Sequence, residues 1–170
     1  LLVYDIAGYN SYSFDGFFRR EDLDSFNASC ATNPTIYCSN ELGMVHVNSE
    51  DVGGEYMVGV VAHEYEHLAH FGQDPYEESW LNETMAELAM VYSGYKDPGN
   101  LKAYIDNPAL PLVSEPKLVN YGACYLFGSY LHDRLGVDGV KGLVASSQTG
   151  ISSIDDVMPH GGFDVLFGEF

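Results

Sequence analysis

Residues 63–67 read His-Glu-Tyr-Glu-His and are flanked on both sides by apolar residues. An α-helix completes a turn every 3.6 residues, so His63 and His67 lie on one face, one turn apart. Each can present an imidazole nitrogen to one metal ion, and zinc, which accepts nitrogen and oxygen ligands in a tetrahedron, is the usual choice. Glu64 is rotated toward the open fourth position, where it can take a proton from the water that a catalytic zinc activates. The stretch therefore predicts a helix that carries a zinc site and a general base.

Residues 80–88, Trp-Leu-Asn-Glu-Thr-Met-Ala-Glu-Leu, supply the second half of the predicted site. Fifteen residues separate His67 from Glu83, and the loop between them contains Gly and Pro, which end one helix and let the chain turn. We expect a second helix with Asn82 as its N-cap and with Glu83, in its first turn, as the third zinc ligand. Glu87, one turn further on, is expected to bond the second nitrogen of a zinc histidine. Without a metal, these residues would be two surface histidines, a helix-start carboxylate and a solvated carboxylate.

A third segment, residues 121–127, reads Tyr-Gly-Ala-Cys-Tyr-Leu-Phe, and the three segments together resemble the gluzincin metallopeptidases. This group includes thermolysin and the aminopeptidase N family. The chain looks most like the hyicolysin-like secreted bacterial metallopeptidases, over roughly residues 40–136. The resemblance implies an α+β, zincin-like (thermolysin-like) fold with a small twisted sheet above a helical lower lobe. It also implies a zinc cofactor and hydrolysis of peptide bonds.

The motifs also narrow the type of peptidase. No exopeptidase motif precedes the zinc helix, so we expect an endopeptidase rather than an aminopeptidase. The metzincin pattern requires Gly at position 70 and His at position 73, where this chain has His70 and Gln73. His70 lies two turns from His63, which is too far along a straight helix for three histidines to converge on one ion. We expect it to be a hydrogen-bonded neighbour of the site.

A third helix is predicted over residues 119–135, with Gly136 as its C-cap. A tyrosine on this helix can donate its O–H to the oxyanion that forms when water attacks a carbonyl. By resemblance to the gluzincins, Tyr121 is the first choice for this role and Tyr125 the second, while packing in an aromatic core is the alternative for both. His160, in a Pro-His-Gly-Gly loop, is a weaker candidate for the same role.

The residues before the zinc helix predict a small sheet. Residues 1–8 read as a buried strand and residues 14–20 as a second strand. Residues 43–48 read as a third, and by the resemblance this is the edge strand of a zincin, which offers backbone groups to an extended substrate. His46 is expected to be a strand-face residue there rather than a catalytic one. The acidic residues 21–27 read as a solvated charge cluster, with a short helix or a calcium-binding turn as alternatives.

Composition limits the class of protein and of partner. The chain has 170 residues, of which 46% are hydrophobic, so we expect a single domain over residues 1–170. Its 25 acidic and 7 basic residues give a net charge of −18, which argues against nucleic acid and anionic membranes and favours cationic substrates. No apolar run approaches the ~18 residues of a transmembrane helix. We expect a monomer whose partner is a peptide or protein substrate.

Three cysteines bear on the cellular compartment. Cys30 and Cys38 close a short polar loop and are predicted to form a disulfide in an oxidising compartment, with two free thiols as the alternative. Cys124 lies in an apolar helical run and reads as a core residue. The chain opens directly on an apolar strand, as expected of a secreted product whose leader has been removed.

These observations predict a secreted zinc metalloendopeptidase with zinc on His63, His67 and Glu83, and with Glu64 as the base. The alternative is a catalytically silent binding module in which the same ligands hold a structural zinc. Glu64 argues against that alternative, because a structural site does not need a carboxylate beside its first histidine and is usually closed and cysteine-rich. The sequence leaves open the cleavage preference, the choice between proteins and short peptides, and the binding of calcium.

Overall fold

The computed structural model describes residues 1–6, 15–33, 35–95, 98–109, 111–114, 120–158 and 161–170. The protein is 61% helical and has a small three-stranded sheet, so the predicted α+β class is confirmed. Within the described segments, no helix combines the length and the apolar character that a membrane span requires.

The strands are β1 (Leu2–Tyr4), β2 (Gly16–Phe18) and β3 (Val45–Asn48). The helices are α1 (Glu55–Gln73), α2 (Ser79–Tyr92), α3 (Pro98–Asp106), α4 (Tyr121–Val144), α5 (Ile151–Val157) and α6 (Gly162–Glu169). Short 3-10 helices cover Arg20–Leu23, Ala28–Ala31 and Ser49–Asp51. The helix predicted around residues 63–67 is α1, which is therefore confirmed.

The strand order of the described sheet is β1-β3-β2, with β1 parallel and β2 antiparallel to β3. Residues 45–48 form a strand as predicted, but the prediction that this is the edge strand beside the cleft is wrong. β3 is paired on both sides, so its backbone groups are already used and cannot pair with a substrate. The strand next to the site is β2, which packs against α1.

The two flanking strands are shorter than predicted. β2 falls within the predicted range 14–20, although residue 14 lies outside the described residues. β1 covers only Leu2–Tyr4, and the expectation that it is buried is wrong, because Leu2 and Val3 are 40% and 39% exposed. The physical reason is that, among the described residues, α1 packs mainly against β2 and β3, while β1 is at the edge of the sheet.

The helical lobe is built on α2, which packs against α1 on one side and against α4 on the other. Apolar residues recur on α2 and α4 at spacings of three and four, the pattern of helices that bury one face. Fully buried side chains of this core include Leu81, Leu88, Phe127, Leu131 and Ile154. Because α2 is anchored along its length, the carboxylates that it carries are held in fixed positions.

Helix α4 is interrupted at Gly136, whose φ of 67° and ψ of −179° are not helical. Such a conformation is readily adopted only by Gly. The predicted helix stop at Gly136 is therefore confirmed, and a second helical segment follows it directly and runs to Val144. The predicted start at residue 119 lies outside the described residues.

The acidic segment after β2 is not simply solvated, and the prediction is wrong for Asp22. Arg20–Leu23 forms a 3-10 helix in which the Asp22 side chain has no exposed surface. The Asp22 carboxylate lies 2.8 Å from His46 Nε2 and accepts a 2.7 Å hydrogen bond from the Tyr37 hydroxyl. Both partners are distant in sequence, so nothing within the segment itself indicated that Asp22 would be buried. His46 lies on strand β3, as predicted, and is buried there.

A disulfide joins Cys30 and Cys38, as predicted, and closes the loop that carries Tyr37. Just after this loop, the Ser39 hydroxyl donates a 3.1 Å hydrogen bond to the Asp22 carbonyl. The disulfide-closed loop therefore supplies part of the polar environment that holds Asp22 under the sheet. The third cysteine, Cys124, is buried in the helical core and is not disulfide-bonded, as expected.

Candidate metal centre

His63 and His67 project from the same face of α1, one turn apart, as their spacing predicts. Their imidazole rings meet edge to face, with centroids 4.8 Å apart. Both side chains line a cavity between β2 and the helices. The two histidines therefore stand beside open space into which their ring nitrogens can reach.

Glu83 of α2 completes a group of three possible metal ligands. Its Oε2 atom lies 3.2 Å from His63 Nε2 and 3.7 Å from His67 Nε2. One ligand atom from each of the three residues lies within 4.8 Å of the other two. The structure thus brings together the three side chains that the sequence predicts as ligands.

The start of α2 differs from the prediction. The helix begins at Ser79 with Glu78 as its N-cap, so the prediction of Asn82 as the N-cap is wrong. The Glu78 carbonyl already accepts the N–H groups of Leu81 and Asn82, at 3.0 Å each, and this starts the helix one turn earlier. Asn82 instead lines the cavity, where its side chain interacts with His67 and acts to raise the pKa of that imidazole. The sequence interpretation missed this contact because it assigned the Asn82 side chain to the backbone.

The three side chains could hold a metal ion, and their donor atoms are of the kinds that zinc accepts. Two imidazole nitrogens and one carboxylate oxygen are ligand types of catalytic zinc, and in a tetrahedron with bonds of about 2.0–2.1 Å the ligand atoms lie about 3.3 Å apart. The buried Oε2 atom of Glu83 has no hydrogen bond of good geometry within the described part of the chain, although an imidazole nitrogen lies on either side of it. A cation between the three residues would satisfy this oxygen.

The charges at the site favour a cation as well. Burial alone would lower the pKa of His63, but the carboxylates of Glu83 and Glu87 outweigh it and hold this pKa well above its usual value. Burial lowers the pKa of His67. Burial alone would raise the pKa of Glu83, but its contacts with the two histidines lower it. The metal-free site therefore keeps a proton on His63, and a divalent ion can take over that positive charge.

Glu87 lies one turn after Glu83 on α2 and is 3% exposed. Its Oε1 atom lies 3.4 Å from His63 Nδ1, the ring nitrogen that does not face Glu83. This is the position that the sequence predicts for it. A carboxylate there fixes the tautomer and the orientation of a ligating imidazole, with Nδ1 protonated and Nε2 free for the metal.

Glu64 lines the same cavity and is packed between α1 and β2. Burial raises the pKa of its carboxyl to about 7, even though His63 and a hydrogen bond from the Phe18 backbone both act to lower it. A carboxyl group whose pKa is near neutrality can accept a proton and return it at physiological pH. Glu64 is therefore suited to the general-base role predicted for it.

Tyr121 begins α4 and also lines the cavity, with its ring centroid 6.1 Å from that of His63. Its hydroxyl lies near the Glu83 carboxylate and acts to lower the pKa of that carboxyl. Burial and the neighbouring carboxylates raise the pKa of Tyr121, so the hydroxyl stays protonated and remains a donor. Tyr125, the second choice, is instead buried in the helical core and does not line the cavity. His160 lies outside the described residues.

His70 is not one of the three converging residues. It is completely buried at the end of α1, and its Nδ1 atom lies 3.1 Å from the Glu66 carboxylate. On its other side, its Nε2 atom lies 3.9 Å from Glu77 Oε2. His70 is thus hydrogen-bonded, as expected, while its having no part in metal binding stays a prediction.

The cavity has a volume of about 370 Å³ and extends beyond the three candidate ligands. All three residues of β2 form one wall. The end of α1 and the loop that follows it form another, with Phe71, Asp74 and Glu77. The sequence interpretation missed both walls, because β2 is very short and carries no motif, and because the loop reads as an ordinary polar connection.

Comparison with known proteins adds no family assignment. The sequence matches no protein-family model, and no curated protein is significantly similar to it.

Proposed function

We propose that this protein is a zinc-dependent metalloendopeptidase of the gluzincin type with a zincin-like fold. The observation that carries the proposal is the meeting of His63, His67 and Glu83, from two helices, in a cavity that also contains the buried carboxyl of Glu64. A metal-binding group alone is compatible with a structural site. A buried carboxyl group that lines the same cavity, next to the first histidine, is in the position that a general base for hydrolysis needs.

Each residue of the site has a role in this proposal. His63, His67 and Glu83 hold the ion, and the Glu87 carboxylate orients the His63 ring. Zinc, when bound, supplies the Lewis acidity that polarises a carbonyl group and lowers the pKa of a water molecule.

Glu64 moves the proton in the reaction. Its carboxylate accepts a proton from the attacking water and then passes it to the nitrogen of the leaving amine. The cleavage of the C–N bond thus yields a neutral amine and a carboxylic acid, which keeps the second proton of the water until the acid ionises, and Glu64 returns to its starting state. Its burial matters because a fully solvated carboxyl, with a pKa near 4.3, would be a weaker base.

Tyr121 is the proposed donor to the oxyanion. Its hydroxyl is protonated, lies beside His63 and Glu83, and lines the cavity where a carbonyl carbon would be attacked. To act on a substrate, it donates a hydrogen bond to the carbonyl oxygen, on which negative charge develops. A donor aimed at the charge that develops in the transition state stabilises that state more than the substrate.

β2 is the proposed docking strand for an extended peptide. In the described sheet only one side of β2 is paired, with β3, and its residues line the cavity. A peptide that adds to the open side would gain main-chain hydrogen bonds and run across the zinc ligands. This role passes from residues 43–48, where the sequence suggested it, to residues 16–18.

The remaining expectations are kept as proposals with unequal support. The Cys30–Cys38 disulfide supports a secreted protein, because such bonds persist in oxidising compartments. The net charge of −18 supports peptides rather than nucleic acid or anionic membranes as partners. A single domain over residues 1–170, a monomeric state and a bound calcium ion stay predictions.

The test compares the wild type with Glu64→Gln on a mixture of quenched fluorescent peptides, after the zinc content of both proteins has been matched by metal analysis. We expect cleavage by the wild type and a loss of about a thousandfold or more in the variant with zinc retained, because the base is removed and the ligands are not. Equal cleavage by both proteins would refute the mechanism. Zinc binding without cleavage by either protein would instead favour the catalytically silent binding module.

A further inference from the structure

The end of the cavity that is lined by the loop after α1 is strongly acidic. Asp74 and Glu77, both from the loop after α1, line the cavity there, and Glu66 lies behind them against His70. Even a protonated His70 could balance only one of these three carboxylates. No Lys or Arg occurs among the described residues that line the cavity.

Three buried polar atoms in this group make no hydrogen bond within the described chain: Asp74 Oδ2, Glu66 Oε2 and His70 Nε2. Asp74 is 7% exposed, and its Oδ1 accepts the N–H of Tyr76 at 3.0 Å. His70 Nε2 faces Glu77 Oε2 at 3.9 Å. Of the three residues, Asp74 lines the cavity, and because buried polar atoms are almost always paired, its Oδ2 indicates that a ligand supplies a partner there.

Glu77 is held in place by the surrounding backbone. Its Oε1 accepts the N–H groups of Gly150 and Glu78, at 2.6 Å each, and its Oε2 accepts a 3.3 Å hydrogen bond from the Ser153 hydroxyl. Its side chain is only 2% exposed. A carboxylate that is fixed in this way is preorganised for binding, because little conformational entropy is lost when a cation arrives.

The same cavity also has an aromatic lining. Phe18 of β2 and Phe71 of α1 both line it, with ring centroids 5.6 Å apart. A ligand in this cavity therefore meets apolar surface as well as carboxylates. Lys and Arg side chains suit both, with an aliphatic stem that packs on apolar groups and a cationic end that aromatic faces also attract.

We propose that this end of the cavity is a specificity pocket for a Lys or Arg side chain of the substrate, with Asp74 and Glu77 binding the cationic end and Phe18 and Phe71 packing on the stem. The inference rests on the proposed peptidase function and adds the substrate class. Arg suits the site particularly well, because its planar guanidinium can bond two carboxylates at once. The net charge of the protein strengthens the effect by attracting basic peptides.

The test uses pairs of quenched fluorescent peptides that differ in one residue near the scissile bond, with Arg in one member and its neutral isostere citrulline in the other. Both are acetylated at the N-terminus, so that a terminal amine cannot supply the cation. We expect the zinc-loaded wild type to cleave the Arg peptide about tenfold faster in kcat/KM. Equal cleavage of the two peptides would overturn the specificity pocket and leave the peptidase proposal standing. A preference that appears only when the N-terminus is left free would also overturn it.

Two variants test whether Asp74 and Glu77 cause the preference for the Arg peptide. Asp74→Asn keeps the shape of the side chain and the acceptor for Tyr76, and Glu77→Gln keeps an acceptor for Gly150. We expect either change to reduce the Arg-to-citrulline ratio of kcat/KM several-fold. Asp138→Asn, at an exposed position of α4, removes the same charge outside the cavity and should keep the ratio. A ratio that survives in both cavity variants, each shown to be folded by its thermal unfolding curve, contradicts the assignment.

A binding measurement separates failure of the pocket from failure of the peptidase proposal. The same peptides, labelled for fluorescence anisotropy, are titrated with zinc-loaded Glu64→Gln protein. Tighter binding of the Arg peptide than of the citrulline peptide supports the pocket even if neither peptide is cleaved by the wild type. Equal binding of both peptides refutes it, whether or not the wild type cleaves them.

Discussion

Gly16 of β2 lies directly against Glu64 of α1: a Cβ atom at position 16 would be 2.9 Å from Glu64 Cγ and 2.7 Å from Val60 Cγ1. No Cβ atom fits so close to a neighbouring carbon, so the strand and the helix approach each other to a distance that only Gly allows. The position of Glu64, the proposed base, therefore depends on the absence of a side chain at residue 16.

We predict that Gly16→Ala lowers kcat/KM by about tenfold or more, because the new methyl group pushes Glu64 or β2 away from its present position and catalysis is sensitive to such displacements. Zinc content should be unchanged, since none of the three ligands is touched. Gly72→Ala in α1 is the matched control, because a Cβ atom there meets no atom within 4 Å. Full activity in Gly16→Ala would show that the close approach is not needed.

The contact between Glu87 and His63 leads to a prediction for zinc affinity. Glu87→Gln should weaken zinc binding by about tenfold, because an amide supports the imidazole less strongly than a carboxylate does. Competition with a chromophoric chelator measures the dissociation constant. Glu50→Gln, at an exposed position, is the control for loss of one negative charge. An unchanged affinity in Glu87→Gln would remove Glu87 from the metal site.

Zinc binding should release a proton. The pKa of His63 in the metal-free protein is raised well above its usual value, and a metal ligand must be the neutral imidazole. The apparent affinity is therefore expected to rise with pH up to the raised pKa of His63 and to level off above it. Calorimetric titrations in two buffers of different ionisation enthalpy, at about pH 7, measure the number of protons released. A number near zero contradicts the charge distribution described for the site.

The buried carboxyl of Asp22 is expected to make the stability of the folded protein fall at acidic pH. Burial alone would raise the pKa of this carboxyl, but hydrogen bonds with His46, Tyr37 and Asn40 outweigh it and lower the pKa. A lowered pKa in the folded state means that Asp22 contributes stability above its unfolded value of about 3.9, and that this contribution is lost as pH falls through the folded pKa.

Asp22→Asn should accordingly reduce the free energy of unfolding at pH 7 by about 3 kcal/mol, since its buried partners lose a charged acceptor. Urea denaturation at a series of pH values measures this, and the variant should lose less stability than the wild type on acidification. Asp24→Asn, at an exposed position of the same segment, is expected to change stability by less than about 0.5 kcal/mol. Equal effects of the two substitutions would contradict the buried role of Asp22.

Replacement by Ala should have opposite effects on stability at two helix glycines, Gly136 at the break in α4 and Gly72 in α1. Gly136→Ala should destabilise the protein by about 1–2 kcal/mol, because φ at this position is 67° and ψ is −179° although no neighbour crowds the site. Gly72→Ala should stabilise it by about 0.5 kcal/mol, because Ala is the better helix former. Thermal unfolding of both variants gives the comparison, and a neutral Gly136→Ala would indicate that the helix can continue through this position.

Parts of the site whose arrangement depends on residues close in sequence were predicted correctly. Parts that depend on contacts between distant residues were not. The spacing of His63 and His67 is fixed by helix geometry, and Glu83 and Glu87 repeat it one loop later, so these four residues are where the sequence indicates. The strand beside the cleft was misassigned because strand order depends on pairing between residues 2–4, 16–18 and 45–48, which no local pattern contains. Metal binding and catalysis by these residues stay predictions.

The polar residues were predicted less well than the apolar ones. The apolar faces of α2 and α4 follow from their periodicity, and Gly136 marks the break in α4. Asp22 and Asn82 each have a default role, as a solvated carboxylate and as an N-cap, and the tertiary structure overrides both. Asp22 is buried by partners 15 and 24 residues away, and Asn82 turns to His67 because the helix starts earlier.

The packing of Cys124 has a consequence for how the chain oxidises. Thiol–disulfide exchange needs a thiolate as the attacking group. Cys124 is 1% exposed, and burial raises the pKa of its thiol to about 12. Once the helical core has formed, the third sulfur can neither ionise nor reach the other two, so Cys30 and Cys38 have only each other as partners. The correct pairing is thus protected by the same helix contacts that hold the proposed zinc ligands in place.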